Sequence, residues 1–424
     1  MPISRRQFIK RGVGAVSVGM VLPKLWLTQA RAQSGSTASR KIFVIIQLAG
    51  GNDGLNTVIP YTDPNYQSLR PRIGFTESEV ANTTISSQFA LHPSMTALKG
   101  LYDAGKAAIV LGVGYPNPNL SHFTSQDIWH TADPLAEAAE GWVGVYADKF
   151  LVNQASPAAV SVGGILPKTM LSNDVVIPNI SSFSAYDYST DPKFPNDAAN
   201  QKNAFAKIYG RQFEAGGFID ALNSTGKDAV DGAAQIQAAV AAYNSSVTYP
   251  DTDLGQGLQM LAEVITTIPS ANVLYCTLGG FDNHSSEIGT SDDPNNRLVG
   301  DHATLLGELS DGINAFYNDM TAHGLADNVV MMTWSEFGRR ANDNGSNGTD
   351  HGTASVQFIV GNPVKGGQLY GVQPSLAPTA LDSSGNMVFQ VDFRATYGTI
   401  LDKWLGVDSK AVLGQQFENV GFLG

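Results

Sequence analysis

Carboxylate, imidazole and guanidinium groups lie close together in one glycine-rich segment of the sequence, residues 335–352 (SEFGRRANDNGSNGTDHG). Glu336 and His351 both have side chains that can bind a metal ion. Arg339 or Arg340 could hold the oxygens of an anion in a planar fork. The segment therefore indicates a site that combines a cation with an anionic substrate, provided that regular elements hold it in place.

Further polar groups follow apolar runs that are typical of buried strands. Asp53 follows KIFVIIQLA, and Asp282 and His284 follow NVLYCTL. Ser121 follows AAIVLGV and a loop rich in Pro and Asn. Ligands of parallel α/β sheets bind at the carboxyl ends of the strands, so we expect these groups to meet there, together with Glu336 and the pair Asp350-His351.

Carboxylates together with imidazoles suit Zn²⁺ or Mn²⁺, whereas oxygen ligands alone suit Mg²⁺ or Ca²⁺. We predict one or two divalent ions (Zn, Mn or Mg), and two ions about 4 Å apart could polarise a phosphoryl group. A hydroxyl at a helix N-terminus, such as that of Ser121, could be an activated nucleophile or part of an anion site. The predicted metal ligands are Asp53, Asp282, His284, Glu336 and His351.

Each of these residues also has a purely structural interpretation. Asp53 could simply form the turn of Asn-Asp-Gly, and Ser121 could be an ordinary helix N-cap. Glu336 could form an ion pair with Arg339 or Arg340, and the polar groups around His284 could cap a loop. The functional interpretation depends on whether the fold brings the groups together.

Alternating strand and helix patterns predict the element order. Buried strands are expected at 41–47, 107–113, 272–278, 328–334 and 356–360. Helical spacing is expected at 92–104, 121–129, 201–246, 253–266, 301–323 and 393–405. Buried strands that alternate with helices imply an α/β fold with a mostly parallel sheet between helices. We predict one domain over 41–424, with a helical or loop insertion over roughly 145–270.

The N-terminal 32 residues have the features of a twin-arginine signal peptide. Ser4, Arg5 and Arg6 precede a mildly apolar stretch, and Ala30-Arg31-Ala32 resembles a cleavage site. This predicts export to the periplasm or the medium, with no stable membrane anchor after cleavage. An uncleaved anchor is the alternative, but Pro23 and Lys24 interrupt a short stretch.

The overall charge is acidic. The formal net charge is −12, and loss of the six basic residues in 1–32 would make it −18. Such a surface argues against a nucleic acid or an anionic membrane as the partner. Cys276, the only cysteine, lies in an apolar run and is predicted to be a buried small hydrophobe.

The motifs LAGGNDGLNTVIPY, NLSHFTSQDIWH, TLGGFDNH, MTWSEFGRRANDNGSNGTDHGTAS and VKGGQLYG resemble a family of exported bacterial proteins known as domain of unknown function 1501. That family is more distantly similar to the alkaline phosphatase and sulfatase superfamily. The resemblance implies a sheet between helices with a bimetal site at the strand ends.

Carried over by this resemblance, Asp53 would be the metal aspartate of the first strand. Ser121 would be the nucleophile, with the neighbouring Thr124 as its alternative. Asp282 and His284 would be ligands from a later strand, and His351 would be the last histidine. The Asp-His pair of the superfamily falls at Ser335-Glu336, which has one acid and no histidine. The chain also lacks the Cys/Ser-x-Pro-x-Arg stretch that sulfatases need, so sulfatase activity is disfavoured.

These observations predict an exported, metal-dependent hydrolase of phosphate or related anionic esters, acting on a small ester or a surface polysaccharide. The alternative is an exported binding or scaffold protein with a degenerate site, acting at the cell surface or on polysaccharide. A sugar-hydrolysing module would need paired carboxylates about 5–10 Å apart and a groove with exposed aromatics, which the sequence does not place.

Overall fold

The structure is a computed structural model that describes residues 40–154, 157–175, 177–181, 194–209, 242–290 and 296–424. The predicted signal peptide, residues 1–32, lies outside the described residues. Most of the helical segment predicted at 201–246 also lies outside them, although residues 198–209 form a helix.

Within the described residues, nine strands form the main sheet and two short strands form a separate antiparallel pair. The order across the main sheet is β10-β4-β9-β8-β1-β7-β5-β6, and β11 also pairs with β4. In the main sheet, all strand pairings are parallel except those of β9 with β4 and β8. The strands are β1 (Ile42–Leu48), β2 (Val58–Ile59), β3 (Ala90–Leu91), β4 (Ala107–Gly114), β5 (Ala159–Val162), β6 (Asn179–Ile180), β7 (Val273–Leu278), β8 (Val329–Trp334), β9 (Ser355–Val360), β10 (Leu369–Gly371) and β11 (Val391–Asp392).

Helices cover both faces of this sheet. They are α1 (Gly54–Thr57), α2 (Pro64–Leu69), α3 (Thr96–Asp103), α4 (His122–Thr131), α5 (Trp142–Tyr146), α6 (Ala198–Tyr209), α7 (Asp253–Thr267), α8 (Asp301–Ala322), α9 (Phe393–Thr399) and α10 (Ser409–Leu413). π-helical turns continue α5 over Ala147–Leu151 and α9 over Ile400–Leu405. Among the described residues, no helix combines the length and apolar character that a membrane span requires.

The central strand β1 shows why the fold needs two covering layers. Ile42, Val44 and Ile46 pack into a core with α3, α7 and α8. Phe43 and Ile45 point to the opposite side, into a core with α4, α5 and α9. A strand that is apolar at every position must be buried on both faces, as the near-continuous apolar run predicts. The mixed, mostly parallel sheet flanked by helices is therefore confirmed.

The five predicted strands are confirmed to within one residue of their bounds. β9 runs antiparallel because the chain returns from the carboxyl end of β8 through a loop without a crossover helix. This return places the N-terminus of β9, and the loop before it, at the same sheet edge as the ends of β1, β7 and β8.

The segment predicted as an insertion, roughly 145–270, is partly built into the main sheet. Its strand β5 pairs with β7, and β6 pairs with β5, so the segment extends the sheet at one edge. Helix α7 from the same segment packs against α8 in the core that covers β1. Short strands and irregular spacing in the sequence did not reveal that these pieces pair with the central strands.

Candidate metal centre

Three histidines and one aspartate converge at the carboxyl edge of the sheet. Asp282 and His284 follow β7, His351 precedes β9, and His122 is the first residue of α4. The Oδ1 atom of Asp282 lies 3.4 Å from Nε2 of His122, 3.2 Å from Nε2 of His284 and 3.1 Å from Nε2 of His351. We call these four residues the histidine–aspartate cluster.

The spacing within the cluster is that of metal ligands. Atoms bound to a tetrahedral zinc ion at about 2.0 Å lie about 3.3 Å from one another. One donor atom each from His122, Asp282 and His351 lies within 4.8 Å of the other two. Nε2 of His284 lies beside this triple, 2.9 Å from Nε2 of His351. These three mutually close donors could hold a metal ion, and Nε2 of His284 lies beside them as a fourth donor.

Each histidine of the cluster has its other ring nitrogen, Nδ1, against an oxygen acceptor. The contacts are His122 to the Glu336 carboxylate at 2.9 Å, His351 to the Leu120 carbonyl at 2.8 Å and His284 to the Asp350 carboxylate at 3.3 Å. Such contacts fix the ring orientation and leave Nε2 free for a metal. Nε2 of His122 is buried and makes no hydrogen bond to the described part of the chain. The residues present therefore fit a divalent cation with nitrogen and oxygen ligands.

The Asp282 carboxylate supplies the negative charge of the cluster. Burial alone would raise the pKa of Asp282, but hydrogen bonds from Arg339 and His351 lower it to about 2. The Asp282 carboxylate is therefore ionised across the neutral range. The hydrogen bond to Glu336 raises the pKa of His122, since it stabilises the charged ring.

Glu336, predicted as a metal ligand, is fully buried behind His122. Its Oε1 also accepts from the backbone N–H of Gly50 at 2.9 Å and from Nε2 of Gln126 at 3.1 Å. Burial would raise the pKa of Glu336, but these hydrogen bonds together lower it. The structure thus places this carboxylate where it orients His122, and direct ligation by Glu336 stays a prediction.

Arg339, predicted to bind an anion, is buried and joins neighbouring loops through hydrogen bonds. Its guanidinium donates to the backbone carbonyls of Gly51 at 2.6 Å and Phe281 at 2.9 Å, and to Oδ1 of Asp282 at 2.8 Å. The Thr349 carbonyl, at 3.0 Å, and the Gly50 carbonyl accept further bonds. Because carbonyls already engage this guanidinium, an anion would have to compete with them.

Arg340 and Ser121 lie nearer the surface. Arg340 is half-buried. Burial would raise the pKa of Asp350, but hydrogen bonds from Asn344 and His284 lower it, and the positive charge of Arg340 lowers it further. Ser121 is the exposed N-cap of α4, and its hydroxyl makes no capping hydrogen bond within the described residues. Their predicted roles in anion binding and nucleophilic attack stay predictions.

Asp53, predicted as a metal ligand, lies outside the histidine–aspartate cluster. Its side chain is buried, caps α1 through the N–H of Leu55 and forms a two-pronged ion pair with Arg70. Burial would raise the pKa of Asp53, but Arg70 lowers it to about 2. The turn-and-ion-pair interpretation of Asp53 therefore describes its contacts, and its role as a metal ligand stays a prediction.

His122 is the residue that sequence reasoning missed. It is the neighbour of Ser121 after the second strand, where the sequence predicts the hydroxyl as the functional group. In the folded chain, Ser121 is the exposed cap and His122 turns inward against Glu336 and Phe337, with ring centroids of His122 and Phe337 4.9 Å apart. A histidine at the first position of a helix that follows a sheet strand was the available signal.

Comparison with protein families assigns the chain to a known family. A family model described as "Protein of unknown function (DUF1501)" matches residues 40–415, and the chain belongs to that family. A search of the curated proteins found no significant match.

Solved structures similar to this chain include enzymes of the alkaline phosphatase superfamily. One is the PsFucS1 sulfatase from Pseudoalteromonas sp., with 9% identity, TM-score 0.37, and coverage of 98% of this chain and 76% of that chain. The zinc complex of the C-terminal periplasmic domain of EcEptC from Escherichia coli has 9% identity, TM-score 0.36, and coverage of 77% and 75%. A protein in the alkaline phosphatase superfamily from Vibrio parahaemolyticus has 10% identity, TM-score 0.31, and coverage of 84% and 69%.

Proposed function

We propose that this protein is an exported, metal-dependent hydrolase of phosphate or related anionic esters. The observation that carries the proposal is the convergence of three imidazole Nε2 atoms on Oδ1 of Asp282, with each Nδ1 against an oxygen acceptor. Three imidazoles and one carboxylate suit Zn²⁺ or Mn²⁺ better than Mg²⁺. In this proposal His122, Asp282 and His351 hold the ion, with His284 as the fourth donor.

A bound divalent ion would polarise the ester oxygen and stabilise the negative charge that develops there. The oxygen of Ser121 attacks the phosphorus and loses its proton to solvent, while the bond to the leaving oxygen breaks and that oxygen takes up a proton. Water then cleaves the seryl ester, which releases the anion and restores the hydroxyl. The exposed position of Ser121, next to His122 in the chain, supports this role.

The other side chains around the cluster have supporting roles. Arg340 is the candidate anion holder, because it is half-buried and lies close enough to affect Asp350. Arg339 positions Asp282 through the hydrogen bond between its guanidinium and Oδ1. The predicted signal peptide supports delivery to the periplasm or the medium, where an ester of small size or part of a surface polysaccharide is the substrate.

Metal content and turnover of the mature protein, purified from an exporting host, test the proposal. We expect bound Zn or Mn by plasma mass spectrometry and hydrolysis of generic phosphomonoesters, phosphodiesters or other anionic esters. Asp282→Asn and His351→Ala should lose both the ion and turnover while keeping the far-ultraviolet circular dichroism. Asp103→Asn is the matched control, because Asp103 is exposed and bonds to Lys99 on the surface.

An exported scaffold with a degenerate site is the second candidate, and the commitment of Arg339 to backbone carbonyls favours it. Metal binding without turnover of any ester class would support the scaffold. Absence of a bound ion in wild-type protein that had been supplied with Zn and Mn would overturn the metal-dependent hydrolase.

A further inference from the structure

Arg70 and Asp53 form a buried ion pair at the place where the sequence predicts a metal ion. Arg70 is 0% exposed and Asp53 is 3% exposed. The two terminal nitrogens of Arg70 each contact one oxygen of Asp53, and the Nη2–Oδ1 distance is 2.9 Å. Oδ1 also accepts from the N–H of Leu55 at 3.3 Å. Both carboxylate oxygens are therefore engaged before any ion arrives.

The guanidinium of Arg70 is held in place by more than Asp53. Its Nε donates to the carbonyl of Ala341 at 2.9 Å, and its Nη2 donates to the carbonyl of Arg340 at 2.9 Å. These carbonyls belong to the loop that leads from Glu336 to His351. Arg70 therefore ties that loop to Asp53, and a metal ion at Asp53 would have to displace a cation fixed on three sides.

A second buried carboxyl group beside the pair is also engaged. Glu287 is 1% exposed, and its two oxygens accept from Nδ2 of Asn56 at 3.1 Å and from Oγ1 of Thr349 at 3.0 Å. An additional divalent charge beside a buried guanidinium would be repelled strongly, because the interior screens charges weakly. The carboxyl groups of Asp53 and Glu287 are therefore already engaged, and a buried positive charge lies beside them.

We infer that Arg70 is a resident cation that takes the place of a second metal ion at Asp53, and that the protein binds one ion, at the histidine–aspartate cluster. The inference rests on the proposed function, because it needs the cluster to bind metal. Arg70 is a positioning residue in this scheme: it holds Asp53 and the loop before His351.

Metal stoichiometry tests this inference with a readout that does not depend on activity. Wild-type protein, Asp53→Asn and Asp282→Asn are incubated with excess Zn²⁺, dialysed and analysed by plasma mass spectrometry against protein concentration. We expect one ion per chain in the wild type, one in Asp53→Asn and none in Asp282→Asn. If Asp53→Asn does not fold, the double variant Asp53→Asn/Arg70→Gln removes both charges and takes its place.

Two tightly bound ions in the wild type, or loss of the ion in a folded Asp53 variant, would overturn the inference and leave the proposed function intact. No ion in the wild type would instead contradict the proposed function, and the inference with it. If neither Asp53 variant folds, the wild-type count decides between one ion and two.

Discussion

Oε1 of Glu336 lies 2.9 Å from Nδ1 of His122, and this contact sets the direction of the ring whose Nε2 faces Asp282. The pair joins residues that are 214 positions apart in the chain. It makes a buried acid at the end of β8 the support for a histidine at the start of α4.

Glu336→Ala is expected to lower the affinity of the cluster for Zn²⁺ by about 10- to 100-fold, because loss of a carboxylate that orients a ligand histidine has effects of that size. Glu336→Gln keeps an acceptor oxygen for His122 and should restore part of the affinity. Competition with a chelator measures both variants. Equal affinity of Glu336→Ala and wild type would show that Glu336 is a structural residue alone.

Ser121→Ala is expected to lower kcat by about 1,000-fold or more while the metal content stays the same, because the substitution removes the attacking oxygen. The unfolding free energy should change by less than about 0.5 kcal/mol, since the exposed hydroxyl makes no capping bond. Thr124→Ala is the matched variant and should retain turnover. If the two variants behave in the opposite way, Thr124 is the nucleophile.

Gly50→Ala is expected to destabilise the protein by about 3 kcal/mol or more, since it combines a strained backbone with a steric clash. Gly50 has φ +123, and an added Cβ would lie 2.4 Å from the backbone nitrogen of Asp282. Gly105→Ala is the control, because Gly105 has φ +70 and no atom within 4 Å of an added Cβ. Urea denaturation compares the two variants. Similar losses of unfolding free energy in the two variants would mean that the positive φ angle alone, without the steric clash, makes Gly50→Ala destabilising.

Stability should fall as pH falls from about 6.5 towards 4 because of His130. Burial lowers the pKa of His130 from 6.5 to about 4, so below pH 6.5 the unfolded chain binds a proton that the folded chain does not. The loss is about 2 kcal/mol between pH 7.5 and pH 5. Above about pH 7.5 the contribution of His130 no longer changes. Urea midpoints at pH 7.5 and 5 should differ less in His130→Gln than in wild type, and an unchanged difference would contradict the assignment.

Sequence patterns alone predicted the alternation of strands and helices and the sheet edge that carries the site. β1 is the clearest case, because a strand that is apolar at every position can only be buried on both faces. The same reasoning brought Asp282, His284 and His351 to one edge, since each is adjacent to a strand of that sheet. Periodicity and position after a strand are local properties, and the sequence contains them directly.

The partners of each polar group were decided by tertiary structure. Nothing near Asp53 in the sequence distinguishes a metal ligand from a carboxylate paired with Arg70, and nothing near Glu336 indicates that its contact is His122. These contacts depend on how far each loop extends and on which way a side chain points as the chain leaves a strand. The sequence therefore determined which residues reach the edge of the sheet, whereas the folded chain determined which of them face one another.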